Sequence, residues 1–201
     1  LNIDKIKNRY ISNETINSVV KNKSTINNIL TSQREISLRP NDLVINTTSC
    51  TVFSKLLGEK TDLKYRGVIL VMLDLTSDKI LPEGVDFIYV DDKEIHFNRI
   101  SDQNSFIKNP TTNSTIMCCE ITYSLDDHYD TMNEDELVAK VKEQFVSLGL
   151  STEDQIIDHK VIKLPEVYPM YFKGYQEALN ITREKYDSIR NLYTIGSLAE
   201  F

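Results

Sequence analysis

"YRGVILVMLDL", from Tyr65 to Leu75, decides the fold class of this chain. It is a near-continuous apolar run rich in β-branched residues, too short to cross a bilayer and unbroken by proline. Such a run predicts a strand in the middle of a sheet, buried on both faces. Two further segments follow with strand character. "VDFIYVDD" (Val85–Asp92) and "EIHFNRI" (Glu94–Ile100) read as a hairpin turning at Asp91-Asp92-Lys93, with Ile95, Phe97 and Arg99 on one face and His96, Asn98 and Ile100 on the other. "STIMCCEITYS" (Ser114–Ser124) is a fourth strand, so Tyr65 to Ser124 reads as a β-meander.

Helices come after it. Asn133 is a capping residue and Glu136 stands three positions on, the spacing of a capping box. Leu137, Val141, Phe145 and Leu148 then form an apolar stripe that Gly149 stops. "QIIDHKVIKLP" (Gln155–Pro165) predicts another strand. Beyond Tyr168-Pro169 comes a helix from about Tyr175 to Arg190, with Leu179, Thr182, Tyr186 and Ile189 on one side, and "NLYTIG" (Asn191–Gly196) closes as a strand. Upstream, "DLVINTTS" (Asp42–Ser49) is a short strand after the turn Pro40-Asn41-Asp42, and "CTVFSKLLG" (Cys50–Gly58) is a helix ended by its glycine. Residues 1–41 are polar, with apolar residues such as Ile16, Val19, Val20, Ile26, Ile29 and Leu30 near helical spacing, which predicts one or two short, weak helices. The fold expected is α+β: a mixed sheet of at least four strands with helices packed on one face, 134–148 and 175–190 among them, plus a small N-terminal helical segment. Residues 42–201 form the main region.

Composition excludes several classes. The 201 residues carry a formal charge of -7 and 40% hydrophobic residues. An acidic chain without a basic cluster speaks against nucleic acid and against anionic membranes. No apolar run reaches the length of a membrane span, and the opening residues have no secretory signal. Three cysteines, Cys50, Cys118 and Cys119, two of them adjacent, read as buried thiols in a reducing, cytoplasmic setting. "DDHYD" (Asp126–Asp130) clusters oxygens but lacks the glycine and terminal glutamate of a calcium loop, so it reads as a solvated loop before a helix and no metal site is expected. None of the six glycines builds a phosphate-cradling loop. On these grounds alone the sequence declares no chemistry.

Four stretches add a resemblance. "DLVINTTSCTVFSKLLGE" (Asp42–Glu59) resembles a segment of flavoproteins of the amine oxidase and protoporphyrinogen oxidase type, with Asp42, Val44, Ile45 and Thr47 fitting and Ser49 where proline is usual. "LKYRGVILVML" (Leu63–Leu73) and "HFNRISDQNSF" (His96–Phe106) resemble strands that follow it there. "VYPMYFKGY" and "NLYTIGSLAEF" are similar to the end of the substrate region in UDP-galactopyranose mutases and related lipopolysaccharide-synthesis flavoproteins. The resemblance implies a substrate-binding region of a larger FAD-dependent oxidoreductase or mutase, acting on a sugar nucleotide or other small polar substrate. It also implies that the chain ends where such proteins return to the flavin domain, at Gly196 and Ser197, the positions nearest the cofactor. FAD is expected in the parent protein and not in this chain, which alone would be inactive, because the pyrophosphate-binding glycine motif is missing. In the mutase motif an arginine follows the final glycine; here Ser197 stands there, which supports the fold more than the mutase reaction. Arg66 and Arg99 are the candidate anion contacts, and Tyr168 and Tyr171 the candidate lining of a flavin-facing pocket. Each has a plain structural alternative: an arginine paired with a carboxylate such as Asp74 or Glu120, a tyrosine at the rim of a core. The alternative for the whole chain is a non-catalytic interaction module that keeps the family fold.

Overall fold

The computed structural model describes residues 11–77, 80–107, 114–125 and 127–201. They fall into two compact units: one runs through Lys64 and resumes at Pro169–Phe201, and the other is Tyr65–Tyr168.

The second unit is built on the apolar run. Strand β5 is Tyr65–Leu75, and it lies in a five-stranded sheet with β6 (Phe87–Tyr89), β7 (Arg99–Asp102), β8 (Thr115–Ser124) and β9 (Ile156–Pro169), in the order β6-β7-β8-β5-β9. The β6–β7, β7–β8 and β8–β5 pairs are antiparallel. One face of this sheet is core: Ile69, Val71, Leu73 and Leu75 of β5 meet Met117, Cys119 and Ile121 of β8 and Ile100 of β7. Helix α3 (Glu134–Ser147) covers that face with Leu137, Val138, Val141 and Phe145. Asn133 caps it as expected, accepting from the Asp135 and Glu136 amides, and the short helix α2 (His128–Thr131) precedes it. Leu148 is the C-cap of α3 and stays 40% exposed, so the buried stripe is one residue shorter than predicted. Asp127 of the "DDHYD" stretch caps α2, accepting from the Tyr129 and Asp130 amides.

The hairpin differs from its prediction. The returning strand begins at Arg99, not Glu94, and the alternation assigned to Ile95, Phe97 and Arg99 fails. The reason is Gln144 of α3: its amide donates to the Glu94 carbonyl at 2.7 Å and accepts from the His96 amide at 2.9 Å. Those backbone groups are therefore held by a helix side chain and not by a ladder. Phe97 and Ile100 both reach the core, and Arg99 turns to the opposite face.

The first unit corrects the N-terminal expectation. In place of helices, β1 (Ile16–Asn22), β2 (Thr25–Thr31) and β3 (Glu35–Ser37) form a three-stranded antiparallel sheet. Asn22 pairs with Thr25 across a two-residue turn in which Lys23 has φ 55°. Isoleucine, valine and threonine favour strands, and asparagine opposes helix, so the helix-like spacing was coincidental. Only Val19 and Ile26 of the two long strands are buried. The remaining elements are β4 (Val44–Asn46), α1 (Cys50–Leu56), α4 (Tyr175–Asp187), β10 (Leu192–Thr194) and α5 (Ser197–Glu200). β4 and β10 pair in parallel, so the chain as a whole mixes both kinds of pairing. Helix α4, expected on the large sheet, belongs to this unit and packs beside α1. Tyr186 stacks edge-on against Phe53 at 5.4 Å and shares a 2.7 Å hydrogen bond with Ser54, while Thr182 bonds Thr61. Ser49, standing where proline was expected, caps α1 by accepting from the Val52 amide.

Candidate functional site

Alternation along the large sheet creates a second face, opposite the core. Strands present successive side chains to opposite sides, so the register places Arg66 and Ser124, Leu70 and Glu120, and Met72 and Cys118 together there. β7 adds Arg99 beside Glu120 and Ser101 beside Cys118, and β6 adds Tyr89 beside Arg99 and Phe87 beside Ser101. Val68, Ser101, Cys118 and Glu120 on this face are buried, and exposure is confined to its rim, where Arg66, Phe87 and Tyr89 stand.

At the centre of this face Arg99 and Glu120 form a two-pronged pair. Nε donates to Oε1 and Nη2 to Oε2, each at 2.7 Å. Glu120 is 9% exposed, and the planar fork satisfies both of its oxygens. The hydrogen bonds to Glu120 raise the Arg99 pKa above its usual value, with smaller contributions from Tyr89 and Tyr168. The guanidinium also lies 5.9 Å from the Phe87 ring centre. Cys118, beside Ser101, is buried. That burial, then the Glu120 charge, pushes its thiol up to about 11. It is a packing residue in this state, not a nucleophile.

Of the residues singled out in the sequence, Arg66, Arg99 and Tyr168 belong to this unit, and Tyr171 belongs to the other. Arg66 is exposed and shares the second face with Arg99. Their partners on β8, Ser124 and Glu120, are four residues apart, about 13 Å along a strand. The two arginines therefore occupy the same surface without converging on one point. Arg99 is closed by Glu120, the carboxylate named beforehand as its structural partner; Arg66 has no ion pair among the described residues. Tyr168, on β9, is 45% exposed. Tyr171 is 67% exposed and packs edge-on against Tyr175 and Phe201 at 5.1 and 5.6 Å. Phe87 and Tyr89 were missed. Their signal was the alternation Phe-Ile-Tyr in a strand whose central isoleucine goes to the core.

Gly196 adopts φ 102° and opens α5, a single turn of four residues. Cys50 donates its thiol hydrogen to the Ala199 carbonyl at 3.2 Å, and Arg183 donates to the Glu200 carbonyl. One turn without neighbouring glycines does not make a dinucleotide cradle, which needs a glycine-rich turn leading into a longer helix. The described residues around Gly196 do not fit a flavin pyrophosphate. The Nδ2 of Asn46 and the hydroxyl of Thr194, register partners on β4 and β10, are buried without a hydrogen-bond partner, while Asn46 Oδ1 accepts from the Thr48 amide and hydroxyl. Among the described residues no group of acidic, histidine or cysteine side chains could hold a metal, and no helix is long and apolar enough to cross a membrane.

With this geometry in place, solved structures show where the fold recurs. The chain superposes on reduced UDP-galactopyranose mutase with a TM-score of 0.70 at 14% identity, covering 86% of this chain and 38% of the mutase. It matches a protein assigned as a protoporphyrinogen oxidase from Exiguobacterium sp. 255-15 with a TM-score of 0.65 at 12% identity, covering 91% and 41%. A CLA-producing fatty acid isomerase from P. acnes matches at 0.54 and 15% identity, covering 94% and 43%. The fold is thus one found in a UDP-galactopyranose mutase and in a protein assigned as a protoporphyrinogen oxidase. The chain spans about two-fifths of the length of these structures. No protein-family model matches the sequence, and no curated protein matches it.

Proposed function

We propose that this chain is the substrate-side region of a larger FAD-dependent oxidoreductase or UDP-galactopyranose mutase-like protein of the cytoplasm, acting on a sugar nucleotide or other small polar substrate. The observation that carries this reading is the exposed rim of the large sheet's second face. Exposed Phe87, Tyr89 and Tyr168 accompany a fixed Arg99–Glu120 pair, on a fold shared with proteins of that kind. Aromatic rings take the apolar face of a sugar, and a preset guanidinium–carboxylate pair offers its remaining edges to hydroxyl groups. Arg66, at the mouth of the same face, would meet a negative group. In the parent protein the flavin supplies the redox chemistry; this region binds and orients. Domain boundaries at 41 and 42, and roles for Tyr171, Gly196 and Ser197 near the cofactor, belong to the same proposal.

A second surface supports a region that sits within something larger. Parallel strands are normally covered on both faces. Here Leu43 and Ile45 of the β4 segment, and Tyr193 and Ile195 of the β10 segment, are 61%, 61%, 55% and 49% exposed. Ile45 and Tyr193 are register partners, so the four form one bare apolar face.

The test is a titration of the parent protein with UDP-galactopyranose, followed through its flavin absorbance. Tyr89→Ala and Tyr168→Ala should each weaken apparent affinity at least tenfold with flavin content unchanged. A parent without flavin, or affinity indifferent to both changes, would instead support the interaction module, which Ser197 and the closure of Arg99 by Glu120 favour.

A further inference from the structure

A groove lies on the other side of the sheet, between α3 and β9. Strand β9 is the edge of the five-stranded sheet, paired to β5 on one side only among the described residues. It is fourteen residues long, well above the usual strand length of about five or six. An edge of that length presents a row of free N–H and C=O groups, which proteins normally shorten, cover or twist away. Ile157, near its start, is 57% exposed.

Helix α3 forms the opposite wall. Asp135, Val138, Ala139, Lys142, Glu143 and Val146 lie on one helical stripe and enclose, with Glu153 and His159, a cleft of about 520 Å³. That volume is within the range of binding sites, about 300–1,000 Å³. Val138, Ala139 and Val146 give it an apolar floor. The charge is unbalanced: three carboxylates, Asp135, Glu143 and Glu153, face one ammonium, Lys142, whose Nζ lies 3.4 Å from His159 Nδ1. None of the three carboxylates has an ion pair among the described residues.

A free strand edge beside a helix stripe is the arrangement by which an extended peptide adds to a sheet. Main-chain bonds go to the edge, and alternate side chains go into the groove. We propose that this groove takes an extended basic peptide by strand addition to β9. The side chains that face the groove, every second one, would rest on Val138, Ala139 and Val146 where they are apolar and meet Asp135, Glu143 and Glu153 where they are lysine or arginine. The site is independent of the second face on which the function above rests.

The probe is the octapeptide Lys-Ser-Val-Ser-Lys-Ser-Val-Ser, whose lysines and valines all lie on one face of a strand, added to the isotope-labelled 201-residue chain and followed by amide NMR shifts. Binding should shift amides of residues 156–162 and of the exposed stripe of α3, and should weaken as salt rises. A peptide with alternate amides N-methylated should bind at least tenfold more weakly, because it cannot complete the ladder. The double change Glu143→Lys with Glu153→Lys should weaken the parent peptide at least tenfold, with the thermal midpoint checked to confirm folding. Ala139→Arg, at an exposed position, should block the groove. No shifts at millimolar peptide, shifts elsewhere, equal binding of the N-methylated peptide, or equal binding of the same octapeptide with glutamate in place of lysine would each overturn the proposal.

Discussion

Glu120 shows how one residue can be read twice. In sequence it is a charge inside an apolar strand, Cys118-Cys119-Glu120-Ile121, where alternation sends it away from the core. In the fold it meets Arg99 through two parallel hydrogen bonds. Removing Arg99 leaves a carboxylate that is only 9% exposed without its partner. Arg99→Ala should therefore lower stability by about 1–3 kcal/mol in a urea titration, the scale of a lost charged hydrogen bond left unsatisfied. Arg99→Lys should recover only part of it, since an ammonium lacks the planar fork. Cys118, on the same face, gives a pH prediction. Its thiol moves from 9.0 to about 11, chiefly through burial. Between those values the folded chain keeps a proton that the unfolded chain releases, so stability falls as pH climbs from 9 toward 11. Iodoacetamide labelling of Cys118, mapped by mass spectrometry, should stay slow at pH 8 and accelerate only as pH nears 11.

At the scale of elements, the close contact of β5 with its neighbours depends on Gly67. A Cβ there would enter the Tyr123 ring and come within 2.7 Å of the Leu164 carbonyl oxygen on β9. The ring is backed by Lys163, whose ammonium lies 4.9 Å from its centre, and the carbonyl is backbone, so neither yields cheaply. Gly67→Ala should destabilise by roughly 1–3 kcal/mol, the range for overpacking a filled site, despite the better strand propensity of alanine. Differential scanning calorimetry on the chain would read this as a lower midpoint; an unchanged midpoint would mean that β9 is not held against β5 as described. The hairpin makes a related point. Gln144 on α3 takes the backbone groups of Glu94 and His96, so where β7 begins is decided by a helix some fifty residues away.

At the scale of the whole molecule, the exposed apolar face of the β4–β10 pair is the surface that a change of charge tests. Changing Ile45→Lys on this exposed face should leave the thermal midpoint of the chain within a few degrees. On the proposal of a larger flavoprotein, the same change there should lower flavin bound per chain. Loss of stability in the chain itself would mean that Ile45 is internal packing and not an interface.

Much of the architecture was legible because its signals are local. The strand Tyr65–Leu75 announced itself by an unbroken apolar run, α3 by its Asn133 cap and its stripe, and α1 by the glycine after it. The family resemblance of the scattered segments anticipated the fold that the solved structures share. Three things were not legible: one because helix-like spacing masked local strand propensity, and two because they depend on partners distant in sequence. The strands β1 and β2 formed where helix-like spacing suggested otherwise, because Val19 and Ile26 had to be buried and the flanking residues prefer extended backbone. The placing of α4 beside α1 followed from Tyr186 and its bonds to Ser54 and the Cys50 carbonyl, a choice that an apolar stripe leaves open. The second face, with Phe87 and Tyr89 brought beside Arg99 and Glu120, exists only through register between three strands. Residue order determined which segments would be strands and helices; only packing in three dimensions decided which side chains would share a surface.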